Sequence, residues 1–236
     1  PSGDLPSADE MGTVRRVPAR SYAIIGTGAV GGFYGARLAR AGMDVHFLLH
    51  SDYEHVRRHG LTVESVDGDF SLPEVRAYSR AEDLPETDVA IFALKATSNH
   101  LLESFLRGPV ANSDTLVLLQ NGLGGEDVLA EIVGSERVLG GLCFLCSNKT
   151  GPGHIRHLDY GFVTLGQHAS DGAPARVTER MKAVGEDLEA AGIEVSYAED
   201  LLLARWRKLV WNIPFNGLSV VLDARIDEIL ACPETR

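Results

Sequence analysis

The chain reads as an α/β protein, a doubly wound parallel sheet followed by the start of an all-helical second domain. Three observations carry that reading. An apolar strand runs into G-x-G-x-x-G and then a helix at 22–35, continuous apolar runs stand at 88–94 and 115–119, and helix-only patterning begins at 199. In the first, Tyr22-Ala23-Ile24-Ile25 leads into Gly26-Thr27-Gly28-Ala29-Val30-Gly31. The first glycine allows a tight turn, Gly28 lets the backbone approach a pyrophosphate with no Cβ in the way, and Gly31 lets the helix pack closely on the strand. The pyrophosphate then sits on the N-terminus of a helix over 29–41, where unpaired N–H groups and the positive dipole end favour an anion. Gly26 to Gly31 are therefore the candidate cofactor-binding turn of a Rossmann-type sheet.

The remaining elements follow in order. Gly42 stops the first helix, and 44–49 forms the next strand, closing a βαβ unit. The stretch 61–78 is more polar, with Val66-Asp67-Gly68-Asp69 as a hairpin turn. The runs at 88–94 and 115–119 suit strands buried on both faces of a parallel sheet, joined by a helical crossover over 99–106. Strands at 138–146 and 154–165, a helix over 174–191 and a strand at 193–197 complete the first domain, which spans 21–198. Residues 1–20 carry no periodicity and are expected to be a flexible tail or cloning remnant. The helical second domain begins within 199–236.

Composition bounds the partners. A formal charge of −11 over 236 residues disfavours nucleic acid and anionic membrane surfaces, which recruit basic patches. No apolar run is long enough to span a bilayer and the polar start has no apolar signal core, so a cytoplasmic protein is expected. Of the three cysteines, Cys143 and Cys146 lie in an apolar strand-like run where a spacing of three puts them on opposite faces. That reads as strand packing, and no metal site is expected.

Lys208, Asn212 and Asn216 recur at intervals of four, which keeps them on one side of a helix with a drift of roughly 40° per step. Bulky apolar neighbours, Trp206, Leu209, Trp211, Ile213 and Phe215, suggest a partly desolvated lysine whose pKa falls. Pro214 deletes one backbone bond there and threatens the alignment of Asn216. Lys95 and Asn121 terminate the apolar runs 91–94 and 116–120, and ligands in open α/β sheets gather at the carboxyl ends of strands. At the end of the second strand an acidic residue would favour NAD, but the chain reads Leu49-His50-Ser51-Asp52. His50 and Ser51 suit a 2′-phosphate, with Arg57 and Arg58 close behind, whereas Asp52 sits late for the ribose. NADP is the expected cofactor.

These residues together resemble the ketopantoate reductase (2-dehydropantoate 2-reductase) family over 22–222. The resemblance rests on Gly26-Thr27-Gly28-Ala29-Val30-Gly31-Gly32, Leu94-Lys95-Ala96, Gln120-Asn121-Gly122-Leu123-Gly124, Gly151-Pro152-Gly153 and the run from Lys208 through Asn212, Asn216 and Gly217-Leu218-Ser219. It implies reduction of a small-molecule 2-oxo acid by NADPH, with ketopantoate the favoured substrate and pantothenate and coenzyme A synthesis the setting. It further implies Lys208 as catalytic proton or hydrogen-bond donor, Asn212 and Asn216 as substrate ligands, and Lys95 and Asn121 lining both cofactor and substrate sites. A homodimer through the helical domain is a further expectation.

Family members commonly carry an arginine where His50 stands, and they continue through a longer helical domain. The second domain is accordingly expected to be truncated, by design or by cleavage, or to borrow cover for its apolar helix from a partner. A reductase of another 2-oxo acid, and a non-catalytic NADP-binding module, are the alternatives to be separated by experiment.

Overall fold

The computed structural model describes residues 20–234. The expected tail over 1–20 lies outside the described residues except for Arg20, whose Nε donates to Asp187 at 2.7 Å.

A ten-stranded, mostly parallel sheet forms the body, with strand order β4-β3-β9-β8-β7-β6-β1-β2-β5 and β10 paired to β9. Its parallel centre comprises β1 (Ser21–Ile25), β2 (Asp44–Leu48), β5 (Arg76–Tyr78), β6 (Val89–Phe92) and β7 (Thr115–Leu118). Each of β1, β6 and β7 is buried on both faces by alternation. Tyr22, Ile24, Val89, Ile91 and Val117 enter one core, while Ala23, Ile25, Ala90, Phe92, Leu116 and Leu118 enter the other. That double burial is why these segments read as continuous apolar runs. The first core is closed by α1 (Ala29–Arg40) and α5 (Glu179–Ala190), the second by α3 (Leu102–Phe105) and α4 (Gly125–Val133). The sheet is thus doubly wound, and its strand order reverses between β1 and β6.

The polar stretch after β2 begins with a helix absent from the sequence reading, α2 (Tyr53–His59), which buries only Val56. Next come β3 (Leu61–Ser65) and β4 (Phe70–Leu72), an antiparallel hairpin as the Asp67-Gly68 turn predicts. This hairpin pairs with the far side of the sheet, β3 running parallel to β9. Two long antiparallel strands, β8 (Val138–Gly151) and β9 (His154–Gln167), make that side, extending β8 past the expected 146 to the Gly151-Pro152-Gly153 turn. They pack over α1, so Phe33 and Tyr34 share a core with Val63, Ile155 and Val163.

Other departures have local causes. The crossover expected over 99–106 is a 3-10 segment (Ala96–Leu101) that widens into the single α turn of α3. Helix α5 starts at Glu179 instead of 174, because Thr178 caps it by accepting from the Met181 N–H at 3.2 Å. Strand β10 (Val195–Ala198) is followed by α6 (Leu201–Leu222), capped by Asp200, and a short α7 (Ile226–Ala231). Pro214 sits on an exposed stretch of α6 without ending it. No helix among the described residues is long and apolar enough to cross a membrane.

Candidate active site

The reversal between β1 and β6 is where an open α/β sheet forms its ligand crevice. At that point the chain leaves β1 through Gly26, whose φ of +96° is left-handed, while the Ala93 N–H donates to the Ile25 carbonyl at 2.9 Å. A Cβ on Gly31 would stand 2.3 Å from the Gly26 carbonyl oxygen, so only glycine lets α1 approach the turn this closely. Gly28, the residue preceding α1, has open space for 4 Å around the position a Cβ would take. The first turn of α1, which begins at Ala29 and Val30, has no side-chain cap and no acidic residue. Free N–H groups beneath an open glycine form a cradle that fits a pyrophosphate. Thr27 is buried, and its hydroxyl donates to the Leu48 carbonyl at 2.9 Å, which ties the turn to the end of β2.

His50 and Ser51 follow β2 and are exposed. Asp52 turns away and is buried, its carboxylate 2.6 Å from Lys149 Nζ and accepting from the Gly153 N–H at 3.1 Å. Burial pushes that carboxyl upward, but Lys149 and Gly153 more than offset it and hold it below the usual aspartate value. Its work is to pin the β8–β9 turn to α2, which explains why it is late for a ribose. Arg57 and Arg58 both pair with Glu54 on the surface of α2, at 3.2 and 3.3 Å.

A second depression, a cleft of 1110 Å³, opens between α6 and the β8–β9 strands. Asn121, at the end of β7, and Lys208, Asn212 and Asn216, on α6, all line it. The fourfold spacing therefore brings its three residues to one wall despite Pro214. Lys95 is exposed at the end of β6 and is not among the residues lining this cleft. Lys208 is half-buried; its Nζ donates to the Cys143 carbonyl and stands 4.7 Å from the centre of the Phe144 ring. Burial lowers its pKa below the ordinary lysine value; the Cys143 thiol opposes that shift and Arg205 adds to it. The Cys143 thiol is itself pushed up to about 11 by burial, whereas Cys146 is exposed, and both are free.

Three contributors escaped the sequence reading. Arg205 and Glu126 are buried at 3% and 6% exposure and form an ion pair, while the same guanidinium donates to the Gln120 and Leu118 carbonyls at the end of β7. Phe144 lies over Lys208. Arg205 stands three residues before Lys208, a helical spacing that places it on the same side, but no local signal announces a buried charge.

The family described as "Ketopantoate reductase PanE/ApbA" matches residues 22–170, and its counterpart "Ketopantoate reductase PanE/ApbA C terminal" matches residues 200–236. A 2-dehydropantoate 2-reductase of Nostoc sp. is 56% identical over 217 residues, covering 92% of this chain and 68% of that relative. The crystal structure of 2-dehydropantoate 2-reductase from Geobacter metallireducens superposes with a TM-score of 0.86 at 42% identity, covering 91% of this chain and 70% of that one. That from Methylococcus capsulatus gives 0.76 at 35% identity, covering 85% and 64%. The sheet that carries the glycine turn and the helices that carry the lysine are each matched, and the chain belongs to the ketopantoate reductase family.

Proposed function

We propose that this chain reduces 2-dehydropantoate to pantoate, a step of pantothenate synthesis, with NADPH as the hydride donor. The observation that carries the reading is the shared cleft: a half-buried lysine and three asparagines line one cavity beside the carboxyl ends of the parallel strands. The 56% identity to a reductase of that name supports the choice of substrate.

The residues take the following roles. Gly26 to Gly31 and the start of α1 receive the pyrophosphate; Thr27 holds the turn in place. His50 and Ser51 receive the 2′-phosphate, and their hydrogen-bonding side chains support NADP over NAD because the position lacks a carboxylate that would repel it. Lys95 and Asn121 flank the nicotinamide end. When bound, the reduced nicotinamide supplies a hydride to the keto carbon. Lys208 gives its proton to the carbonyl oxygen as negative charge develops there, and water reprotonates the amine afterwards. A charge placed where the transition state needs it contributes more than one that binds substrate and transition state alike. Asn121, Asn212 and Asn216 hold the carboxylate and hydroxyl of the 2-oxo acid.

The test is NADPH oxidation by the purified chain against 2-dehydropantoate and a panel of other 2-oxo acids, followed as loss of reduced-nicotinamide absorbance. Lys208→Ala is expected to lower kcat by about 100- to 1000-fold, the usual cost of losing one such donor. Undiminished turnover in that variant would remove the lysine from the mechanism. Faster turnover of a different 2-oxo acid would reassign the substrate.

A further inference from the structure

We propose that Phe144 is a positioning residue for Lys208, its ring face and the adjacent Cys143 carbonyl together fixing the amine in the cleft. The inference rests on the reading of Lys208 as the proton donor. A lysine amine on a four-carbon stem is mobile unless something holds it. Among the described residues no carboxylate ion-pairs with this one; its contacts are the Cys143 carbonyl and the Phe144 ring, 4.7 Å from Nζ. Both partners are neutral. They attract the ammonium without the large upward pull on its pKa that a carboxylate would exert. The amine is thereby localised and remains acidic enough to give up its proton.

The ring is itself held. Phe144 stacks on Phe162 with centroids 4.6 Å apart and planes at 13°, and Tyr160 meets Phe162 edge-on at 6.3 Å. The β8–β9 register places its stacking partners. Phe144 pairs with Phe162, but the next residue, Leu145, pairs with Tyr160, so Gly161 is an extra residue in β9. Tyr160 beside it has a left-handed φ of 62°. Such bulges re-aim a side chain beside a site, and backbone strain retained there marks a constraint that ordinary packing does not need. A hydrophobic wall alone would leave the ring free of the amine; here the ring lies 38% exposed, directly over it.

Because the test reads a titration, the ionisable surroundings matter. Cys143 and Arg205 act on the amine directly, and the cleft also presents Cys146, Tyr160, Tyr197, Glu199, Asp200 and Arg207. Phe144→Tyr, which keeps an aromatic ring against Phe162, controls for any effect of the replacement on Tyr160 and the other groups.

The experiment is NMR of the intact chain with isotope-labelled lysine, the Lys208 signals being assigned by their loss in Lys208→Arg. In the wild type the ε-methylene protons are expected to be shifted upfield by the ring current of Phe144. Phe144→Leu should abolish that shift and lower the amine's titration midpoint further, while Phe144→Tyr should keep both near wild type. In turnover assays Phe144→Leu should lower kcat by about tenfold with little change in KM, the size of a partly desolvated cation–π contact. Absence of any upfield-shifted lysine ε-methylene signal in the wild type overturns the proposal. So does an unchanged midpoint in folded Phe144→Leu. Full turnover by Lys208→Ala instead removes the proton-donor reading, and the NMR result still decides whether Phe144 holds the amine.

Discussion

Arg205 and Glu126 form a buried ion pair that joins the helix bearing Lys208 to the end of strand β7. The guanidinium also donates to the Leu118 and Gln120 carbonyls, so one side chain links α6, α4 and the strand that delivers Asn121. Removing one member strands the other in a dry setting. Arg205→Ala is expected to cost about 3–5 kcal/mol, and replacing both members with apolar residues of similar volume should recover much of it. Denaturant unfolding of the two single variants and the double variant checks this; additive losses would show that the pair is not coupled.

The glycine turn separates folding from binding. Gly28→Ala meets open space at a φ of −89° that alanine adopts freely, so its melting temperature should stay near wild type while NADPH binding weakens by tenfold or so. Gly31→Ala, driven against the Gly26 carbonyl, should lose stability and binding together. Thermal melts paired with fluorescence titration of NADPH distinguish the two; unchanged affinity in Gly28→Ala would remove the pyrophosphate from this turn.

Asp52 gives an acid-dependent stability term. Its native pKa lies below the ordinary 3.8, because the pull of Lys149 and Gly153 exceeds the opposing push of burial. The stabilisation is therefore fully present above that ordinary value and is lost as pH falls through the lower native one. Unfolding free energy measured between pH 6 and 3 should fall less steeply in Asp52→Asn, which should also be less stable at neutral pH. Parallel pH profiles would show that the carboxylate does no such work.

His50 is exposed at the end of β2. His50→Arg should tighten NADPH by about tenfold, the size of one partly exposed charge-assisted contact, and leave NADH unchanged. Binding of the two cofactors by both proteins measures it. Equal tightening of both would place the 2′-phosphate elsewhere.

Much of the sheet was legible because burial on both faces writes itself into sequence as unbroken apolar runs, as in Val89–Phe92 and Thr115–Leu118. Helices α2 and α4 were missed for the opposite reason. The first is short and polar with a single buried residue, and the second opens on Gly124-Gly125, which reads as a turn. Asp52 shows how a position legible in sequence acquires its role from a distant partner: nothing near it predicts Lys149.

The sequence alone determined the periodic and local features: the strand–turn–helix at Gly26 to Gly31, the alternation of strand and helix, and the spacing that puts Lys208, Asn212 and Asn216 on one side of α6. These depend on backbone geometry repeated over a few residues, so neighbouring side chains suffice to specify them. Tertiary structure decided which face met what. The pairing of β3 with β9, the Arg205–Glu126 pair and the Phe144 ring over Lys208 join segments far apart in the chain. Such contacts form only once burial of both cores has met the entropy cost of closing long loops, and no local pattern records that closure.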